Sequence, residues 1–185
     1  MTTLIIQTQR LTIRNLKRED LTDFHSYRCD SEVTKYQSFN VMSLQDAEQF
    51  INLQKHKTFG KPGEWVQYGI ENKATNKIIG DCAIKLDESD VRIAEVGITI
   101  SAAAQKNGYA NEALLAILKF LFSIENFHRV VEIVDAENAA SIALLKSIGF
   151  RKEGHFINNI FFKGKWGSEF QFAMNKKDWE SNILT

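Results

Sequence analysis

Residues 92–121 read RIAEVGITISAAAQKNGYANEALLAILKFL. Up to residue 101 the stretch is rich in β-branched residues and has the character of a strand. Gln105, Lys106, Asn107, Gly108, Tyr109 and Ala110 follow, polar for the most part and carrying one glycine. Beyond them, Ala110, Ala113, Leu114, Ile117, Leu118 and Leu121 recur at i, i+3 and i+4, the period of an amphipathic helix. Backbone N–H groups at a helix start are unpaired and point one way, and the macrodipole adds to them. Strand, loop and helix in this order therefore make a candidate anion site. Gly108 would let the backbone approach a phosphate closely. The same six residues also read as a plain connecting loop, so their surroundings must decide.

Downstream, residues 129–134 form a short β-branched strand, and Asn138 can cap a helix running to Ile148. Gly149 suits the left-handed position that ends such a helix, with Phe150 packing back on Leu145 as in a Schellman motif. Residues 154–174 read as two strands around the turn Lys163-Gly164-Lys165. Upstream, residues 10–15 alternate apolar and polar, and Leu21 and Phe24 stand at helical spacing. Ser43 with Asp46 opens a second helix like a capping box, with Leu44, Ala47, Phe50 and Ile51 as its apolar face. Residues 65–71 and 77–86 read as a hairpin across NKATN. The expected fold is α+β: a mixed, mostly antiparallel sheet of seven strands flanked by about four helices.

Composition narrows the function. The 185 residues suit one domain, 1–185. Lys plus Arg is 23 and Asp plus Glu is 23, so there is no basic excess to favour nucleic acid or a membrane surface. No apolar run is long enough to span a bilayer, and MTTLIIQTQR lacks the apolar core of a signal peptide. Two cysteines, Cys29 and Cys82, make neither a disulfide framework nor a zinc motif, which suggests reduced thiols in the cytoplasm. The four histidines are scattered, and no metal site is expected.

A strand, a Q-x-x-G-x-A loop, an amphipathic helix, a strand and then N-x-x-S-x-x-L-L-x-x-x-G-F resemble the GNAT superfamily of N-acetyltransferases. Gln105, Gly108 and Ala110 match its acetyl-CoA signature. Asn138, Leu144, Gly149 and Phe150 match its second motif in order and spacing, and the order of elements agrees over nearly the whole chain. TQRLTIRNLKREDL, AEVGITIS and GYANEA resemble the branch of ribosomal-protein-alanine N-acetyltransferases, which also holds antibiotic and other small-amine acetyltransferases. There are departures. Ser101-Ala102-Ala103-Ala104 replaces the Ser-Pro and bulky residues common before the loop. Leu145 stands where many relatives carry the Tyr that protonates the leaving CoA thiolate.

The resemblance implies a bound acetyl-CoA as cosubstrate. The N–H groups of Lys106, Asn107, Gly108, Tyr109 and Ala110 would cradle its pyrophosphate. The stretch Ile98, Thr99 and Ile100 would meet the pantetheine arm, the backbone of Ile98 and Ile100 pairing with it where the central strands splay apart. Asn138 would hydrogen-bond the pantetheine, or serve only as a helix cap. Ser141 is the implied substitute for the missing Tyr, and the N–H of Ile98 the donor to the developing oxyanion.

Acetyl transfer also needs a neutral amine. A protein α-amine has a pKa of ~8 and a lysine ~10.4, so near pH 7.5 roughly a third of the first but about a thousandth of the second is neutral. A modest carboxylate base would serve an N-terminal acceptor. Glu95, alone among apolar residues in AEVGI, is the candidate; burial there would raise its pKa. An exposed or purely structural glutamate is the alternative. The acceptor site would lie between the first two helices and the last hairpin, where Arg28, Tyr36, Trp65, Phe161 and Trp166 could line it; each reads equally as plain core or surface, and none is assigned to the site. The favoured acceptor is the N-terminal α-amine of a protein such as a ribosomal protein. A small-molecule amine, and a CoA-binding module without catalysis, stand as alternatives. A homodimer through the C-terminal strands is compatible with the pattern.

Overall fold

The computed structural model describes residues 4–37 and 39–183. Residues 1–3, 38, 184 and 185, part of the 1–185 domain and of the amino-terminal stretch read above, lie outside them. The described chain runs β1 (Ile5–Gln7), β2 (Leu11–Asn15), α1 (Leu21–Arg28), α2 (Leu44–Gln54), β3 (Val66–Asn72), β4 (Lys77–Leu86), β5 (Ile93–Ile100), α3 (Tyr109–Lys119), β6 (Arg129–Asp135), α4 (Ala139–Ile148), β7 (Arg151–Phe162), β8 (Lys165–Asn175) and α5 (Lys176–Ile183). The strands form one sheet in the order β1-β2-β3-β4-β5-β6-β8-β7. Every neighbouring pair is antiparallel except β5 and β6, which run parallel.

The α+β reading holds, with one correction. Among the described residues there are eight strands rather than seven, because Ile5–Gln7 pairs with β2. Three residues are too few for alternation to declare a strand. The described α-helices number five, in line with the expected four or so. The fifth, KKDWESNI, is mostly polar and is anchored by Trp179, buried against Phe122.

Helices cover both faces of the sheet. The larger core packs Leu114, Ile117, Leu118 and Leu121 from α3 and the turn after it against Ile13, Tyr68, Ile84, Val96, Val130 and Phe172 of the strands. The smaller one joins Phe24 and Tyr27 of α1 to Ala47 and Ile51 of α2, over Leu16 and Ile78. Each such fully buried aliphatic or aromatic side chain is worth about 1.5–3 kcal/mol relative to exposure.

The helix ends follow their local rules. Ser43 accepts from Asp46 N and Asp46 reaches back to Ser43 N, the reciprocal capping box. At the end of α4, Gly149 has φ 98° and Phe150 N donates to Leu145 O at 3.0 Å, the Schellman bond.

Candidate active site

β5 and β6 are hydrogen-bonded over only three register pairs, Ile93 with Arg129, Ala94 with Val130 and Glu95 with Val131. Beyond Glu95 no pairing joins them, although β5 stays paired to β4 through Ile100. Which groups face the opening follows from strand alternation. On the β4 side, Ser101 N donates to Ile79 O and Asp87 N to Ile93 O. On the β6 side, Arg92 O accepts from His128 N at 2.9 Å. Odd-numbered residues of β5 therefore turn their amides to β4, and the amides of Ile98 and Ile100 turn to the gap. A chain of amides laid into the gap would find a ready strand edge.

A cleft of about 500 Å³ opens at this gap. From the sequence candidates, Glu95, Ile98, Thr99, Asn138 and Ser141 line it, so the structure brings these five together. Thr99 turns its backbone to β4, opposite Asp81, and offers the cleft its side chain. Asn138 Oδ1 caps α4 by accepting from Ser141 N at 3.2 Å. The capping half of its expected role is thus seen directly. Leu145 is wholly buried in the core.

The loop of Gln105, Lys106, Asn107, Gly108, Tyr109 and Ala110 stands outside the cleft wall, at the end of the free β5 edge. Gln105 Nε2 donates to Ile100 O at 3.0 Å and ties the two. Lys106 and Gly108 both take left-handed backbone, with φ of 62° and 77°, which suits a concave nest of N–H groups. Gly108 offers α3 no side-chain cap, so the N–H groups of the first turn remain open to an anion. Arg10 braces the loop: its Nη1 donates to Asn107 O at 3.0 Å, and its Nε to Glu112 Oε2 at 2.6 Å. Tyr109 is fixed by Asn72 Nδ2 at 3.0 Å and by the Arg10 guanidinium over its ring. Ala110 packs half-buried on the main core.

Of the candidate lining residues, Arg28, Tyr36 and Trp65 are in the wall. Phe161 and Trp166 are not; they are exposed and pack edge-on against each other. Arg28 is almost wholly buried and forks onto Asp81, with Nε to Oδ2 at 3.1 Å and Nη2 to Oδ1 at 2.5 Å. Tyr27 Oη and Gln67 Nε2 also donate to that carboxylate. Burial, then the Asp81 charge, pushes the Tyr27 phenol well up.

Glu95 is not the buried carboxylate its apolar neighbours suggest. Its side chain is 25% exposed and ion-paired at 2.6 Å with Lys85, its register partner on β4. Lys85 in turn lies over the Trp65 ring. The buried carboxylate is Glu132 on β6, one residue past the last β5–β6 pair and 4% exposed. Its Oε2 has no hydrogen-bond partner among the described residues. Burial foremost, with the Glu95 charge, pushes it up to about 8. Glu132 was not among the candidate residues, although its signal is present in the sequence. In RVVEIVD it shares its phase with Val130 and Val134, both buried. Among the described residues, no group of three His, Cys, Asp or Glu could hold a metal ion.

Comparisons with known proteins agree with this geometry. Residues 10–151 match the family model described as "Acetyltransferase (GNAT) domain". The uncharacterized N-acetyltransferase YnaD of Bacillus subtilis is 30% identical over 94% of this chain and 98% of its own. Spermidine N(1)-acetyltransferase of Vibrio cholerae is 27% identical over 85% and 88%. [Ribosomal protein uS5]-alanine N-acetyltransferase of Escherichia coli is 25% identical over 65% and 63%. Among solved structures, a GNAT-family acetyltransferase from Bacillus anthracis superposes with a TM-score of 0.85 at 26% identity, covering 94% of this chain and 99% of that one. The GNAT family uses acetyl-CoA, and with these matches the chain belongs to the GNAT family of N-acetyltransferases.

Proposed function

We propose that this enzyme moves the acetyl group of acetyl-CoA, by direct attack, onto the N-terminal α-amine of a protein such as a ribosomal protein. The observation that carries the reading is the composition of the cleft at the β5–β6 gap. Its wall holds the carboxylates Glu95, Glu132, Asp135 and Glu169 beside the amide side chains of Gln37, Gln54 and Asn138. A peptide start offers partners to both kinds of group, an amine to the carboxylates and carbonyl oxygens to the amides. The likeness to the uS5-alanine acetyltransferase supports the same choice.

Acetyl-CoA supplies an acetyl group activated as a thioester. In this reading the N–H groups of Lys106 to Ala110 hold its phosphates. The gap-facing amides of Ile98 and Ile100, with Thr99 and Asn138 beside them, hold its arm. Glu95 and Ser141 are the catalytic residues. Glu95, at the cleft wall, meets the entering amine; Ser141 meets the departing sulfur, its hydroxyl donating to or relaying a proton toward the thiolate. Ser141→Ala is expected to lower kcat several-fold while the calorimetric Kd for acetyl-CoA stays within about twofold. We assign the reaction to the cytoplasm, in keeping with two thiols and, among the described residues, no helix long and apolar enough to cross a membrane. A homodimer through β7 and β8 belongs to the same proposal, supported by the exposed Ile157, Phe161 and Trp166 on that hairpin.

The four carboxylates in the wall favour a second reading, a polyamine or other small-molecule amine, and the spermidine acetyltransferase likeness supports it. A thiol-release assay separates the two. Acetyl-CoA is offered with short peptides beginning Ala, Ser or Met, with polyamines and with aminoglycosides. Turnover of one peptide class above the small amines is the expected result. Turnover of small amines alone would replace the first reading by the second. Tight acetyl-CoA binding with no turnover across the panel would point to a CoA-binding module.

A further inference from the structure

We propose that Glu132 on β6 is the proton acceptor of the reaction, and that Glu95, ion-paired with Lys85, tunes it from across the gap. This rests on the acetyl-transfer reading above and adds the residue that receives the proton. Three observations carry it. Glu132 lines the cleft immediately past the point where β5 and β6 part, so it stands where the strand edge opens. It is almost fully buried, with Phe172 of β8 opposite it in register. Its Oε2 is unpartnered, a costly arrangement for a carboxylate with no use for that oxygen.

The charged groups around it set the sign. Glu95 of β5 repels a second negative charge. Lys85 of β4 is engaged with Glu95, and Arg28 of α1 is engaged with Asp81, so neither is free to neutralise Glu132. Asp135 of β6 and Glu169 of β8 line the same cleft. Burial first, then the Glu95 charge, favours the protonated form of Glu132, and the pKa of about 8 matches a base that must take a proton near neutral pH.

The step balances as follows. The neutral amine nitrogen forms its bond to the acetyl carbon and the carbon–sulfur bond breaks. The surplus proton on nitrogen passes to the Glu132 carboxylate, which later yields it to solvent. The thiolate takes a proton from solvent by way of Ser141. One proton enters and one leaves.

The test compares wild type, Glu132→Gln, Glu132→Asp and Glu95→Gln. The ionised form of Glu132 and the neutral form of the amine are both needed. Log kcat/KM for wild type should therefore climb with a slope near two below pH 8. Glu132→Gln should lose at least about 100-fold at pH 7 and keep a slope of one, with the acetyl-CoA Kd within about twofold. Glu132→Asp should restore the steeper limb in part. Glu95→Gln should move that limb to lower pH, because a repelling charge has gone. Activity of Glu132→Gln within about threefold of wild type, with an unchanged slope, would overturn the proposal.

A second readout needs no acceptor. An infrared difference between wild type and Glu132→Gln should show a protonated carboxyl band at pH 6.5 that titrates near 8. An ionised Glu132 at pH 6.5 would overturn the proposal whatever the amine. A protonated one in an enzyme that acetylates no amine would leave the assignment of this carboxyl standing and remove the transfer reading instead.

Discussion

Asp81 accepts from Arg28, Tyr27 and Gln67 at once; Asp81, Arg28 and Tyr27 are almost wholly buried, and Gln67 is half-buried. Removing one partner of such a pair leaves the other charge buried and unmatched, which costs about 3–5 kcal/mol. Asp81→Asn is expected to lower the stability measured by urea denaturation by that order. It should also disturb the cleft, since Arg28 is part of its wall. At this scale the sequence revealed residue types better than residue environments. Glu95 and Glu132 each stand alone among apolar neighbours, and nothing local separates them. What does is register: Glu95 lies opposite Lys85 on β4, whereas Glu132 lies opposite Phe172 on β8. Register comes from the pairing of distant strands, so a reading along the chain cannot supply it.

The elements that were legible are those with local punctuation. α2 has its Ser43–Asp46 box, α4 its Asn138 cap and Gly149 stop, and α3 its 3.6-residue apolar repeat. β1 and α5 lack such marks and take their form from the sheet edge and from the Trp179 anchor. One glycine governs how closely two elements approach. A Cβ at Gly80 of β4 would stand 2.2 Å from the carbonyl oxygen of Thr99 on β5. Both groups lie in paired backbone, so the strands would have to part. Gly80→Ala should lower stability by about 1–3 kcal/mol. Gly80 pairs with Ile100 at the free edge, so its alanine variant should also weaken acetyl-CoA binding. Thermal denaturation and calorimetry on one preparation would check both; an unchanged Tm would contradict the clash.

For the whole molecule, the raised pKa of the buried Glu132 makes stability depend on pH. The folded pKa of Glu132, about 8, lies above its unfolded value near ~4.3. Between these two values the folded state binds more protons than the unfolded state, so stability falls as pH rises through that window. Glu132→Gln should flatten the decline and make the protein more stable at pH 7, by an amount on the order of 3–4 kcal/mol. Equal denaturation midpoints for the two proteins from pH 5 to 8 would contradict this. The sheet's open seam has a kinetic counterpart. Along β5 and just past its end, Thr99 and Ser101 have amides locked to β4, whereas those of Ile98 and Ile100 face the gap. In deuterated water without ligand, the two sets should therefore exchange on different clocks, residue by alternate residue. Added CoA should slow the fast pair and leave the slow pair almost unmoved, so that one strand records on its two edges both the permanence of the fold and the arrival of its guest.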